Sequence, residues 1–257
     1  MIPFLSNLRR AVSTPQERPL VVIGSSSSEV FDYIFGDRPD YFPFWASGWS
    51  ARGLRSAEHR DYLQKILSPI PREANIFMNF GCTDVNFNFR HLASTKGVYD
   101  FKTVLDEAAE GISTSAEFIR SMGFENIHAV FISPAISLPQ VYWRQVSKSR
   151  QLPDKMLGRM YFDLFKATAM DMKTIDVFQE LTDFKNDRYV LKKDYMRAAQ
   201  NHHPDYIKIQ HVVWDKIRHI DGILPMRSDL LNRGYPHVQA GIKQLIETGT
   251  TRPRTCR

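Results

Sequence analysis

The stretch PLVVIGSSSSEVFDYIF, residues 19–35, decides the fold. Its first part, PLVVIG (19–24), is a short β-branched run that closes on glycine. It reads as a buried strand running into a turn. Ser25 to Ser28 make the turn, and EVFDYIF (29–35) reads as a helix. Ser27 or Ser28 is the expected cap, with Glu29 well placed in the first turn.

The same alternation continues outward. YFPFWAS (41–47) is a second strand, and Pro43 suits it to a sheet edge. Residues 51–67 read as helical, marked by Leu54, Leu63 and Ile66. NIFMNFG (75–81) is a third strand, residues 102–122 a long helix, and IHAVFIS (127–133) a fourth strand stopped by Pro134. Residues 134–153, rich in Ser, Pro and Gln, read as a long irregular segment of the kind that serves as a functional loop or lid. Residues 154–173 look helical, TIDVFQEL (174–181) holds a fifth strand, and 205–220 form a helix with Ile209, Val212, Val213, Ile217 and Ile220 on one face. A last helix is expected at 237–247.

Such alternation predicts a three-layer α/β/α sandwich around a mostly parallel five-stranded sheet, flavodoxin-like in class. One domain is expected over 19–247, with a leader at 1–18 and a polar tail at 248–257. In sheets of this kind ligands bind beyond the carboxyl ends of the strands. The places to search are therefore Gly24–Ser28, Ser47–Gly53, Gly81–Asn88 and the loops after Ser133 and before Asp205.

Composition narrows the classes. With 43% hydrophobic and 24% charged residues and a mean hydropathy of −0.34, the chain is ordinary for a globular protein. No apolar run is long enough to span a bilayer, and the N-terminus lacks the charge order of a secretory signal, so a cytoplasmic site is expected. Two cysteines, Cys82 and Cys256, give neither a disulfide framework nor a metal spacing. No HExxH or CxxC is present, and no metal or cofactor is expected. The net charge of +6 comes from scattered basic residues without a nucleic-acid-binding signature, so no nucleic-acid partner is expected.

Four sites fall at the predicted strand ends. GSSSS (24–28) offers a serine hydroxyl on an exposed turn next to helix N–H groups, or a phosphate-type or capping turn. It is neither a P-loop nor a Rossmann fingerprint. SGWSARGL (47–54) brings Gly48, whose N–H can face the same mouth or whose role is simply a turn. FGCTDVNFN (80–88) gathers Thr83, Asp84, Asn86 and Asn88 behind Gly81. Thr83 and Asn86 can donate to an oxyanion, Asp84 can brace the loop through backbone N–H groups, and Cys82 is a rival nucleophile. NHHPDYIKIQHVVW (201–214) places His202 and His203 just before a helix, where a histidine can reach back as base for a serine.

The order of these blocks, G-x-S, then S-G, then G-x-x-D, then His-Pro ahead of a C-terminal helix, resembles the SGNH/GDSL serine hydrolases over about residues 19–220. The resemblance implies Ser26 as nucleophile and His203 as base, and an oxyanion hole from the N–H groups of Ser26 and Gly48 with Thr83 or Asn86. It implies an esterase or acyltransferase working through an acyl-enzyme on an O-acyl ester, with an O-acetylated sugar as substrate class and an acyl donor or carrier as partner. The third block looks like the G-E-I-D variant of relatives linked to polysaccharides and acyl transfer.

The departures are specific. Ser25 replaces the usual aspartate, Thr83 stands where asparagine is the rule, and Gln200 occupies the acidic position three residues before His203. Asp194, Asp205 or a backbone carbonyl is left to orient the imidazole. Trp45, Trp49, Tyr142 and Trp143 are expected either to line an aromatic mouth or to sit in the core. Two other classes stay open: a non-catalytic binding or interaction protein on this fold, favoured by Gln200, and an anion or nucleotide binder using the serine turn.

Overall fold

The computed structural model describes residues 17–36, 38–97, 99–133, 135–147, 152–184, 188–197 and 201–228. Five parallel strands form its sheet: β1 (Leu20–Gly24), β2 (Tyr41–Trp45), β3 (Asn75–Asn79), β4 (Asn126–Phe131) and β5 (Thr174–Asp176), in the order β2-β1-β3-β4-β5. Pro43, which has no N–H to donate, sits on the edge strand β2. Consecutive residues on each strand feed opposite cores. Val21, Ile23, Ile76 and Met78 face one, while Leu20, Val22, Phe77 and Val130 face the other. Burial on both faces is why these strands read as unbroken apolar runs rather than alternating ones.

Helices α2 (Ala57–Leu67), α3 (Phe89–Lys96), α4 (Phe101–Ser121) and α6 (Asp154–Asp171) close the first face. Helices α1 (Val30–Phe35) and α8 (Tyr206–Ile217) close the second. The chain is thus an α/β/α three-layer sandwich. A fully buried carboxylate, Asp32 of α1, accepts from Tyr41 Oη and from Trp45 Nε1 (3.0 Å), and so ties α1 to β2. Burial raises its pKa to about 8.

Several expectations need correction. Residues 134–153 are not a plain loop: α5 (Gln140–Ser147) lies within them, and its Trp143 is fully buried in the second core. The fifth strand expected within 174–181 is present as the three residues of β5, and a helical turn, α7 (Phe178–Leu181), follows it. The helical span 51–67 is split into a 3-10 turn at Arg52–Arg55 and α2, because Ser56 caps α2 by accepting from the His59 N–H. A hairpin, β6 (Thr182–Asp183) with β7 (Arg188–Leu191), was not foreseen. The expected leader at 1–18 falls almost wholly outside the described residues; the expected helix at 237–247 and tail at 248–257 fall wholly outside them.

At the end of β1, Gly24 lets the serine turn lie against the neighbouring strand. A Cβ there would stand 2.4 Å from the Asn79 carbonyl oxygen and 2.3 Å from Ser28 Oγ. Gly24→Ala is therefore expected to cost about 1–3 kcal/mol in urea unfolding, as overpacking in a close-packed site does. An unchanged denaturation midpoint would show that this approach is not constrained.

Candidate active site

Ser25 leaves β1 in extended conformation, and Ser26–Glu29 then form a 3-10 turn leading into α1. Ser27 and Ser28 lie inside this turn, and no side-chain cap is made there, which corrects the expected capping role. Their hydroxyls instead point into the sheet. The Asn79 amide, oriented by its partners, donates to the Val130 carbonyl (3.0 Å) and accepts from the Ser28 N–H and both hydroxyls (3.1 Å each). This network holds the turn in place and leaves Ser26 the most exposed of its four serines, at 9%.

His203 arrives from the other end of the chain. The segment 201–205 leads into α8, and α8 packs on α1. Tyr206, the first residue of α8, donates through its hydroxyl to the Ser26 carbonyl (3.1 Å). Asp205 caps α8, its carboxylate accepting from Ile207 and Lys208 N–H groups (3.2 and 3.4 Å). With the helix docked on the serine turn, His203 Nε2 lies 2.7 Å from Ser26 Oγ.

The structure orients His203 with neither expected acid. Asp205 is spent on the helix cap, and Asp194 lies on an exposed 3-10 turn. Gln200 lies outside the described residues. The residue at Nδ1 is Asn201, whose Oδ1 is 3.0 Å away and also accepts the His203 backbone N–H (2.9 Å). Sequence reading missed it because the search was for a carboxylate three residues before the histidine. An amide two residues before was the available signal.

Beside it, the His202 ring packs at a tilt against His203, 4.0 Å between centroids, and edge-on to Phe87 (4.9 Å). The Tyr142 hydroxyl of α5 accepts the His202 N–H (3.1 Å) and touches its Nδ1. Burial, with Arg197 nearby, lowers the His202 pKa to about 4. Burial, helped by His202 and Arg197, likewise holds His203 well below the ordinary imidazole value. Both rings are neutral at neutral pH, so His203 is available as a base.

The second and third blocks end on strands adjacent to β1, since Gly24 pairs with Trp45 on one side and Asn79 on the other. Gly48 has φ +78°, and a Cβ there would meet nothing within 4 Å, so its backbone conformation rather than crowding calls for glycine. Asp84, fully buried, accepts from Ala51 N (2.7 Å) and Arg52 N (3.1 Å) and so ties the Gly48 loop to the third block. Burial raises its pKa to about 6 against the lowering effect of those two bonds. Thr83 is buried just ahead of a π-helical turn, Asp84–Asn88, and Asn86 donates from Nδ2 to Cys82 Sγ (3.4 Å). Burial pushes the Cys82 thiol up to about 11, which disfavours a thiolate nucleophile.

The aromatic residues settle largely into the core. Trp49 and Trp143 are fully buried and Trp45 is 5% exposed, leaving Tyr142, half-buried, beside the histidines.

Esterases are among the similar solved structures. Axe2, an acetylxylan esterase from Geobacillus stearothermophilus, is 15% identical over 83% of this chain and 98% of that one, with a TM-score of 0.46. The lipase Lip_vut3 from a goat rumen metagenome is 12% identical over 77% and 95%, TM-score 0.47. A provisionally named platelet activating factor from Streptococcus pneumonia is 19% identical over 81% and 85%, TM-score 0.49. No protein-family model matches the chain, and no curated protein matches it in sequence. At such identities function has to come from the site's own chemistry. Among the described residues no helix is long and apolar enough to cross a membrane.

Proposed function

We propose that the chain is a serine-dependent ester hydrolase or acyltransferase, with Ser26 as nucleophile and His203 as general base. The observation that carries this reading is the 2.7 Å contact between Ser26 Oγ and His203 Nε2 at the carboxyl edge of the sheet, made by residues 177 positions apart. A hydroxyl paired with a neutral imidazole, itself held by a third group, is the arrangement nucleophilic acyl transfer needs.

Ser26 Oγ attacks the ester carbonyl while its proton passes to Nε2. The carbonyl oxygen takes the negative charge, and the N–H groups of Ser26 and Gly48, with Thr83 or Asn86, are the proposed donors to it. Collapse breaks the bond to the alkoxide, which leaves with the proton from His203. Water or an acceptor hydroxyl then attacks the acyl-serine, its proton going to Nε2, and Ser26 regains its proton as the acyl group departs. Which acceptor is used separates hydrolysis from transfer. On the sequence resemblance, O-acetylated sugars are the first substrates to screen, followed by other O-acyl esters and acyl donors.

One equivalent of a fluorophosphonate is expected to add to wild type, none to Ser26→Ala, and the reaction is expected to be slow in His203→Ala, read by intact-protein mass. Because His203 titrates below its ordinary value, the labelling rate should hold level below pH 6.5 and fall only under more acidic conditions. A second reading, ligand binding without turnover, is favoured by Asn201 standing where a carboxylate would be. A folded wild type that takes no label and leaves 4-nitrophenyl esters intact would turn the assignment to that reading.

A further inference from the structure

We infer that Asn201 is the positioning residue of this site, a neutral carboxamide that fixes the tautomer and orientation of His203 in place of a carboxylate. The inference rests on the Ser26–His203 reading.

The hydrogen bonds settle each atom in turn. The His203 backbone N–H is always a donor, and it points at the Asn201 side chain at 2.9 Å, so the amide oxygen faces the histidine. That oxygen is also 3.0 Å from Nδ1. A carbonyl oxygen only accepts, so Nδ1 carries the hydrogen. A neutral imidazole has one N–H, which leaves the lone pair on Nε2, the atom facing Ser26 Oγ. Throughout the reaction the Nδ1 hydrogen stays on nitrogen, and only the proton between Oγ and Nε2 moves.

The surrounding groups explain why a neutral anchor matters. His202 packs tilted against His203, and the Tyr142 hydroxyl holds His202. Tyr206 lies 6.0 Å from His203 between ring centroids, and the Arg197 guanidinium lies over the Tyr206 ring, 4.7 Å from its centroid. Glu29 faces Arg197, and the Asp205 carboxylate is turned to its helix cap. The positive charge of Arg197 opposes an imidazolium, and a carboxamide supplies no charge to offset it. Asn201 therefore orients the base without strengthening it.

The test uses the full chain as wild type, Asn201→Ala and Asn201→Asp, with two readouts. Nitrogen NMR of the histidine rings should show protonated Nδ1 at His203 in wild type. In Asn201→Ala the hydrogen should shift to Nε2. In Asn201→Asp it should stay on Nδ1 while the titration midpoint of His203 rises. In the second readout, Asn201→Ala should slow fluorophosphonate labelling and lower kcat on 4-nitrophenyl acetate by about 10³- to 10⁴-fold, with KM held within about twofold. Asn201→Asp, which keeps the acceptor oxygen and the fold, should retain labelling and move the acid limb to higher pH. One shared tautomer and one shared labelling rate in wild type and Asn201→Ala would overturn the inference, as would an unmoved acid limb in Asn201→Asp. A wild type that shows the Nδ1 hydrogen, loses it in Asn201→Ala and never labels would uphold the positioning role while refuting the nucleophile.

Discussion

Alanine at Ser26 is expected to lower kcat on an activated ester by about 10⁶-fold, and adding His203→Ala to it is expected to cost almost nothing more. The reason is geometric. Oγ and Nε2 are 2.7 Å apart, so the hydroxyl is useful only with its base and the base only with its hydroxyl. Two groups acting as one unit are lost together, and their separate losses do not multiply. Stability provides the control. Ser26 takes no part in the network that holds the turn, which runs through Ser27, Ser28 and Asn79, so Ser26→Ala should leave the unfolding free energy within about 1 kcal/mol of wild type. Steady-state rates of the two single variants and the double variant decide the matter. Activity in Ser26→Ala within tenfold of wild type would remove the serine from the reaction, and a double variant far below either single one would show two independent contributions.

The sheet was legible because burial on both faces imposes a strong pattern. VVIG, FMNFG and HAVFIS stand out as largely apolar runs ending in a small residue, and the proline in YFPFW points to the edge position it takes. The elements that were missed depend on tertiary contacts. Helix α5 sits between prolines in a polar segment, and its place is set by Trp143, which packs under the Arg90 guanidinium at 3.9 Å and against Phe87. The stretch DVNFN looks like a polar turn, yet it forms a π-helical turn continuing into α3.

In the site, Ser26 and His203 could be paired from their order along the chain. Asn201 could not, because its contact with Nδ1 depends on how the backbone folds at residues 201–203. The tryptophans show the same limit from the other side. A Trp near a strand end suits a mouth or a core equally well, and only the packing of Trp49 against Tyr62 and Phe80 decides for the core.

Removing the Asp84 carboxylate should be the most damaging substitution for the scaffold of the site. Asp84→Ala leaves the Ala51 and Arg52 N–H groups without their acceptor, and at about 1–3 kcal/mol for each buried orphan the expected loss is roughly 4 kcal/mol. Asp84→Asn should lose about half as much. It keeps one carbonyl oxygen, but its NH₂ meets the second N–H, and two donors cannot pair. Because these bonds anchor the loop that carries Gly48, kcat should also fall, by about 10²- to 10³-fold if the Gly48 N–H is an oxyanion donor.

The pH dependence separates a raised carboxyl from a merely structural one. Burial places the folded pKa at about 6, above the ordinary 3.8, so between those values the folded state binds the proton more readily than the unfolded one. The Asp84 contribution is then fully present below about pH 4 and is lost as pH rises through 6. Asp84→Asn cannot titrate, so its deficit relative to wild type should be larger at pH 5 than at pH 7 in urea melts. An equal deficit at both would mean that the two backbone bonds at least offset the burial of Asp84 and that its pKa is not raised.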